Sequence, residues 1–311
     1  MKNKKRGFFT GILNHCYQRT VNGMLLFYCI SDYLVLFTII CVTARKYRIR
    51  ILSLSMMPDH IHHSTVAETQ KELSAFVGEY TRKFSLVHNR VCHHKGPLFE
   101  SPFGSAPKIG AKKARSNLCY VGNNGVERQL CRKAEEYQWG FLAYAISDHP
   151  FSEKLVIRKS SYAMRKAVKE VKSSFHNNKP LVYAQLQRLF KPLCKKEKLQ
   201  LVDFIVSTYN VIDFTEAIRY FDSYEDMLSA MHSNTGSEYD LNEIHSGKSD
   251  AHYQKMVAVV MKELNLKDIH DLFATSKEER TNLFFLLLRK TQAIPEQIAK
   301  FLRIKNLVRE V

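Results

Sequence analysis

The sequence predicts an α+β protein: a ferredoxin-like β-α-β-β-α-β sheet unit with one extra helix over residues 1–150, then an all-helical C-terminal region. Three observations predict it. Strand-like segments are confined to the front of the chain; with the helical patterns between them they run strand, helix, strand, strand, helix, strand, helix; and beyond about residue 150 no strand pattern competes with helix. With 311 residues the chain exceeds what one growing core accommodates, so more than one domain is expected.

The first strand is expected at about 11–19, and Asn22-Gly23 then turns the chain toward a helix from Asp32 to Lys46. Tyr33, Leu36 and Ile40 recur there at helical spacing, and Ser31 is the expected cap. In the stretch from Arg48 to Met56, Ile49 and Ile51 take one face and Leu52, Leu54 and Met56 the other; the alternation slips at Ile51-Leu52, as in a strand partly covered on both sides. Pro58-Asp59 offers a turn into a second short strand, which makes a hairpin. From Glu68 to Asn89, Leu73, Phe76, Val77, Tyr80, Phe84 and Val87 return every three or four residues and define the second helix. Gly, Pro and Ser between 96 and 110 suggest a loop feeding a short edge strand, with the extra helix at about Ala111 to Val121.

Helices are expected from Ser161 to Ser173, Leu181 to Leu189, Glu197 to Ser207, Phe214 to Tyr220 and Tyr224 to Met231. After a polar loop or linker, Asn234 to Asp250, a compact helical tail follows: Tyr253 to Leu264, Leu266 to Phe273, Lys277 to Lys290 and Pro295 to Leu302. The expected units are therefore 1–150, 151–233 and 251–311.

Lys and Arg number 47 against 30 Asp and Glu, a formal charge of +17 that favours a polyanion such as nucleic acid or an anionic membrane surface. The excess is 11 in residues 1–150 and 6 in the rest, so the front half should face the polyanion. With only 12 Gly and 8 Pro, and no repeat, the composition excludes disordered, collagenous and solenoid chains. Seven cysteines without a Cys-x-x-Cys pair suit a reducing compartment, most of them as buried thiols. Met1 to Arg6 is basic, but Asn14, His15, Gln18 and Arg19 interrupt the apolar run a signal peptide needs, and Leu34 to Val42 and Leu283 to Leu288 are too short to span a bilayer. A soluble protein of the cytoplasm, with no membrane partner, is expected.

The most informative stretch is Met57-Pro-Asp-His-Ile-His-His, because on a strand His60 and His62 leave the same face and offer two imidazoles to a metal ion. Ile61 and His63 would share the opposite face, which makes His63 a poor third ligand. A second group is Tyr120 and Asn124, four apart and on one side of a helix if it continues through Gly122. An amide oxygen can complete a His, His, Asn set around a hard or borderline divalent ion. A neutral phenol is a poor nucleophile and needs a base or an ion beside the phosphate. Taken alone, these residues also suit ordinary surface and core polarity.

Their order and spacing resemble the single-tyrosine, His-hydrophobic-His transposases of bacterial insertion sequences, particularly the type associated with repetitive extragenic palindromes. The resemblance spans about residues 10–146 and rests on His15 to Arg19, Gly23 to Phe27, Met57-Pro-Asp-His-Ile-His, Tyr80-Thr-Arg-Lys-Phe, Asn89-Arg90, Gly96-Pro-Leu-Phe-Glu, Tyr120-Val-Gly-Asn-Asn-Gly-Val-Glu-Arg and Tyr137-Gln-Trp-Gly-Phe. It departs from the family at Gly125, which replaces the usual proline, at His62-His-Ser-Thr, where the family continues with an apolar strand, and at Gly122 inside the catalytic helix.

The resemblance implies that His60, His62 and Asn124 hold a divalent ion, Mg²⁺ or Mn²⁺. It implies that Tyr120 attacks single-stranded hairpin DNA to give a 5′-phosphotyrosine link and a free 3′-hydroxyl. The family includes monomers and dimers, so a homodimer is admitted; a nucleoid location in the cytoplasm follows from the substrate. Lys108, Lys112, Lys113 and Arg115 precede the tyrosine and are candidates to hold the DNA backbone, or else form a solvated charged face. Arg82, Lys83 and Arg90 are weaker candidates, and Tyr137 and Trp139 would either stack on bases or pack in the core. The rival reading is a non-catalytic DNA-binding protein on the same scaffold. In the tail, Lys290 to Ile304 resembles the first helix and turn of a helix-turn-helix, with only Lys305 to Val311 following where a recognition helix would stand.

Overall fold

The computed structural model describes residues 7–233 and 249–304. Met1 to Arg6, most of the expected linker and Lys305 to Val311 lie outside the described residues. The front half runs β1 (Asn14–Arg19), α1 (Ile30–Lys46), β2 (Arg50–Met57), β3 (His60–Val66), α2 (Gln70–Val91), β4 (Gly104–Pro107) and α3 (Ala111–Glu127). The four strands form one antiparallel sheet in the order β2-β3-β1-β4. The short segment at 104–107 is indeed an edge strand, paired with β1 alone.

The slip at Ile51-Leu52 is a register shift between Ile51 and Ser53. Its effect is to keep Ile51, Leu54 and Met56 together in the core beneath α1 and α2, so Leu54 and Met56, expected to share a face with Leu52, do not; Leu52 alone joins the cluster of Leu118 and Ala114 beneath α3. At the other edge of the sheet, Asp213 N donates to Ile51 O at 2.7 Å, and Ile212 bridges Ile51, so β2 is not left bare at this point.

The cap of α1 differs from the expectation. Ser31 falls inside the helix, and Asp32 accepts from Tyr28 N at 2.7 Å and Cys29 N at 2.9 Å, because a carboxylate on the first turn can satisfy two orphan amides at once. On α2, Thr69 and Glu72 bond each other's amides in a reciprocal cap.

The later helices are α4 (Tyr162–His176), α5 (Tyr183–Phe190), α6 (Lys195–Tyr209), α7 (Phe214–Ile218), α8 (Tyr224–Ser233), α9 (His252–Glu263), α10 (Lys277–Lys290) and α11 (Pro295–Leu302), with a 3₁₀ segment at Ile269–Ala274. The largest buried cluster runs from Phe37, Met56 and Phe76 into Met164, Val171 and Ile205, so α4 to α6 share a core with the sheet unit. Helix α8 packs on α3 through Met227 and Met231, and the tail closes its own core around Phe284, Ile298 and Phe301 over Leu25, Tyr28 and Cys92. None of the seven cysteines is bridged; Cys16, Cys41, Cys92 and Cys119 are buried. Among the described residues, no helix is long and apolar enough to cross a membrane.

The tail is fastened to the sheet unit by Asp32. Its Oδ1 accepts from Tyr183 at 2.7 Å and from His270 Nε2 at 2.9 Å, and His270 Nδ1 meets Asp268 Oδ1 at 2.7 Å. Burial works against both charges, but the two carboxylates raise His270 to about 10, and His270 lowers Asp32 to about 2. The histidine's contribution is therefore complete below its ordinary 6.5 and lost as pH rises through about 10; the aspartate's is complete above 3.8 and lost as pH falls through about 2. We expect His270→Ala to destabilise the protein at pH 6 by about 3–5 kcal/mol, as for a broken buried pair. Urea unfolding should find that gap narrowing steadily toward pH 10; a gap independent of pH would reject a charged His270.

Candidate active site

Residues 60, 62 and 64 of β3 face α3, while Ile61 and His63 face the layer of α1 and α2, where His63 Nε2 meets Tyr80 Oη at 3.2 Å. His63 is thus turned away from its neighbours. The rings of His60 and His62 stand edge to face, 4.8 Å between centroids. From β1, His15 stacks on His62 and their Nε2 and Nδ1 atoms are 2.9 Å apart, one donating to the other. His60 Nδ1 donates to Asp59 Oδ1 at 2.6 Å, and its Nε2 is buried with no hydrogen bond among the described residues.

The extra helix, expected to end near Val121, continues through both glycines to Glu127. Space is the reason. A Cβ on Gly122 would lie 2.8 Å from the sulfur of Met231, and one on Gly125 would lie 2.6 Å from the ring of Tyr137, so only glycine lets α8 and Tyr137 close on the helix. The continued helix stands Tyr120 over the histidines, its ring 5.4 Å from that of His62 and 5.5 Å from that of His15. Asn124 follows one turn later. Its Nδ2 donates to Tyr120 O at 3.1 Å and Val121 O at 3.4 Å, which fixes the amide plane and leaves its oxygen out of these bonds.

Burial holds His62 and His15 uncharged. It pushes His62 well below the ordinary histidine range, helped by the nearby His60 and His15, and pulls His15 down to about 3, helped by Lys108. Burial opposes the charge of Asp59 as well, but His60, Lys300 and Arg128 outweigh it and keep the carboxyl ionised. Lys300 Nζ is 3.4 Å from Asp59 Oδ2. Near the same carboxylate, burial and Asp59 raise Asp250 to about 6, against the pull of Arg128.

The residues suit a divalent ion. An imidazole that gives Nδ1–H to a carboxylate and keeps Nε2 for the metal is the usual arrangement of a histidine ligand, and the buried, unbonded His60 Nε2 is what it needs. A neutral His62 offers a second nitrogen donor, and the oriented Asn124 amide is a candidate oxygen donor. Among the described residues, a different group, Cys29, Asp32 and His270, has ligand atoms within 4.8 Å of one another. There the Asp32 oxygens already take Tyr28 N, Cys29 N, Tyr183 and His270, and both His270 nitrogens face carboxylates, which is the chemistry of an ion pair.

The basic residues divide. Lys112 and Lys113 are exposed on the first turn of α3, and Lys108 lies close enough to His15 to lower its pKa. Arg115 is committed elsewhere: it bonds Asp226 at 3.0 Å and covers the ring of Phe221. Lys83 pairs with Glu79 on its own helix. Tyr137 and Trp139 are core residues, the first bonded to Met56 O at 2.7 Å and the second stacked on Tyr33. His15 and Asp59 join the site; both lie in stretches that carry the resemblance, His15 to Arg19 and Met57-Pro-Asp-His-Ile-His, without being read there as site residues. Asp59 also reads as a turn residue, and its position next to His60 is a usable signal; the meeting of His15 with His62 depends on strand pairing.

No family model matches the chain, and no curated protein matches it. Among solved structures, the chain is similar to a REP-associated tyrosine transposase bound to a REP hairpin, with 16% identity and a TM-score of 0.41, over 50% of this chain and 94% of that one.

The close packing on α3 is open to a direct check. Gly125→Ala should destabilise the protein by about 1–3 kcal/mol, as for overpacking against a ring, and Gly122→Ala by less, because the Met231 side chain can move. Thermal unfolding of both variants measures this, and an equal or reversed order would contradict the packing described.

Proposed function

We propose that this chain is a transposase-like protein that cleaves and rejoins single-stranded hairpin DNA through a tyrosyl intermediate, on a ferredoxin-like sheet unit. The observation that carries the reading is the convergence of His60, His62 and Tyr120 at ring separations of 4.8 and 5.4 Å, with Asn124 one turn further along the same helix. The strand order β2-β3-β1-β4 supports the ferredoxin-like part.

When bound, a divalent ion such as Mg²⁺ or Mn²⁺ supplies orientation of the phosphate and relief of charge on its oxygens. His60 and His62 would hold it with Asn124, and Asp59 keeps His60 in the required tautomer. Tyr120 Oη, having lost its proton, forms the new bond to phosphorus; the bond to the 3′-oxygen breaks, and that oxygen leaves as a hydroxyl once it gains a proton. A later 3′-hydroxyl reverses the exchange and frees the tyrosine. Because the phosphodiester is traded for a tyrosyl ester, no nucleotide cofactor is required. Exposed Lys112 and Lys113 suit contacts with the DNA backbone.

A specific observation favours a second reading, a DNA-binding scaffold without cleavage. Tyr120 is 2% exposed, so a phosphodiester reaches it only after a change of conformation. One assay separates the two. With single-stranded hairpins and Mg²⁺ or Mn²⁺, the wild type should form a covalent complex that survives denaturation, and Tyr120→Phe should form none while binding DNA as before. Paired His60→Ala and His62→Ala should remove the divalent-ion dependence. A wild type that binds hairpins but never forms an adduct would leave the scaffold reading standing.

A further inference from the structure

We propose that the cavity between the end of α2 and the tail binds a phosphate-bearing nucleotide. The cavity measures about 460 Å³, within the range of small-molecule sites. Among the described residues, Arg280, Lys300 and Arg303 line it with one carboxylate, Glu296, so permanent positive charge exceeds negative by two there. Around the cations lies an apolar surface that includes Met24, Ala299 and Ile304, suited to the apolar part of a nucleoside.

The guanidinium groups are built in place. Arg303 lies over the ring of Phe273 at 4.2 Å, and its Nη2 reaches Leu25 O at 3.4 Å, while Nε and Nη1 are buried and make no hydrogen bond among the described residues. Arg280 is held by Leu302 O at 3.4 Å through Nη1, and its Nε is likewise buried and unbonded. Both side chains are fixed by carbonyls at the wall of the cavity, and a phosphate presents several oxygens to the cationic groups that line it. Lys300 joins this cavity to the neighbouring site, since the same ammonium lies 3.4 Å from Asp59 Oδ2. The phosphate has two sources of the same chemistry, a nucleotide unit within a single strand or a free mononucleotide.

The inference is independent of cleavage, and its test omits divalent ions so that failure at Tyr120 cannot affect it. Calorimetry on the full chain in a chelator compares deoxyadenosine, deoxyadenosine monophosphate and a single-stranded trideoxynucleotide. The monophosphate should bind at least tenfold more tightly than the nucleoside, and Arg280→Gln should weaken it about tenfold or more, the size of a lost charged hydrogen bond. Lys300→Gln, at the more open wall, is the second variant and should weaken it in the same direction if Arg280→Gln fails to fold. Tighter binding of the trinucleotide assigns the pocket to a strand, and equal or tighter binding of the monophosphate assigns it to free nucleotide. Equal affinity for nucleoside and nucleotide, binding unchanged in the folded variants, or no binding of any probe would overturn the inference.

Discussion

The two-residue period of β3 is the constraint on which the candidate site depends. A shift of one residue would send His60 and His62 into the helix layer and bring Ile61 and His63 out under α3. Two interactions hold the register from the side opposite the site: Ile61 is fully buried in the main core, and His63 meets Tyr80 of α2. The His-His-Ser-Thr sequence therefore has a use of its own. Ser64 reaches Asn117 of α3 at 2.8 Å, and His63 reaches α2, so the same strand is bonded to both layers.

How much of this is legible in the sequence follows from the range of each interaction. Period and turn signals are local, and so the element order, the slip at Ile51-Leu52 and the edge strand at 104–107 can all be read from the residues alone. The pair His60 and His62 is legible for the same reason. What the sequence conceals depends on contacts between distant segments. His15 joins His62 only because β1 and β3 are neighbours, and α3 continues past Val121 because Met231 and Tyr137 need the space that two glycines leave. The cap of α1 is concealed because a serine before the expected helix looks sufficient, whereas the buried Asp32 serves the amides from within.

Two acidic residues divide the work of joining front to back. Asp59 is shared between His60 and Lys300 of α11, so the side chain that orients a candidate ligand also touches the tail. Asp32 is shared between the start of α1, Tyr183 of α5 and His270. Asp32 is buried and Asp59 half-buried, and each is kept ionised by partners from segments far apart in the chain.

Helix α1 carries a consequence for anyone wishing to dissect the protein. From Leu34 to Ala44 it has no solvent-facing side, with the sheet unit against one flank and α5 and α6 against another, where Thr38 accepts from Leu181 N at 3.1 Å. A fragment trimmed to the first 150 residues would strip the second flank bare and present a continuous oily stripe to water. Such a piece should clump rather than stay dispersed, so the smallest workable fragment keeps the chain at least through α6.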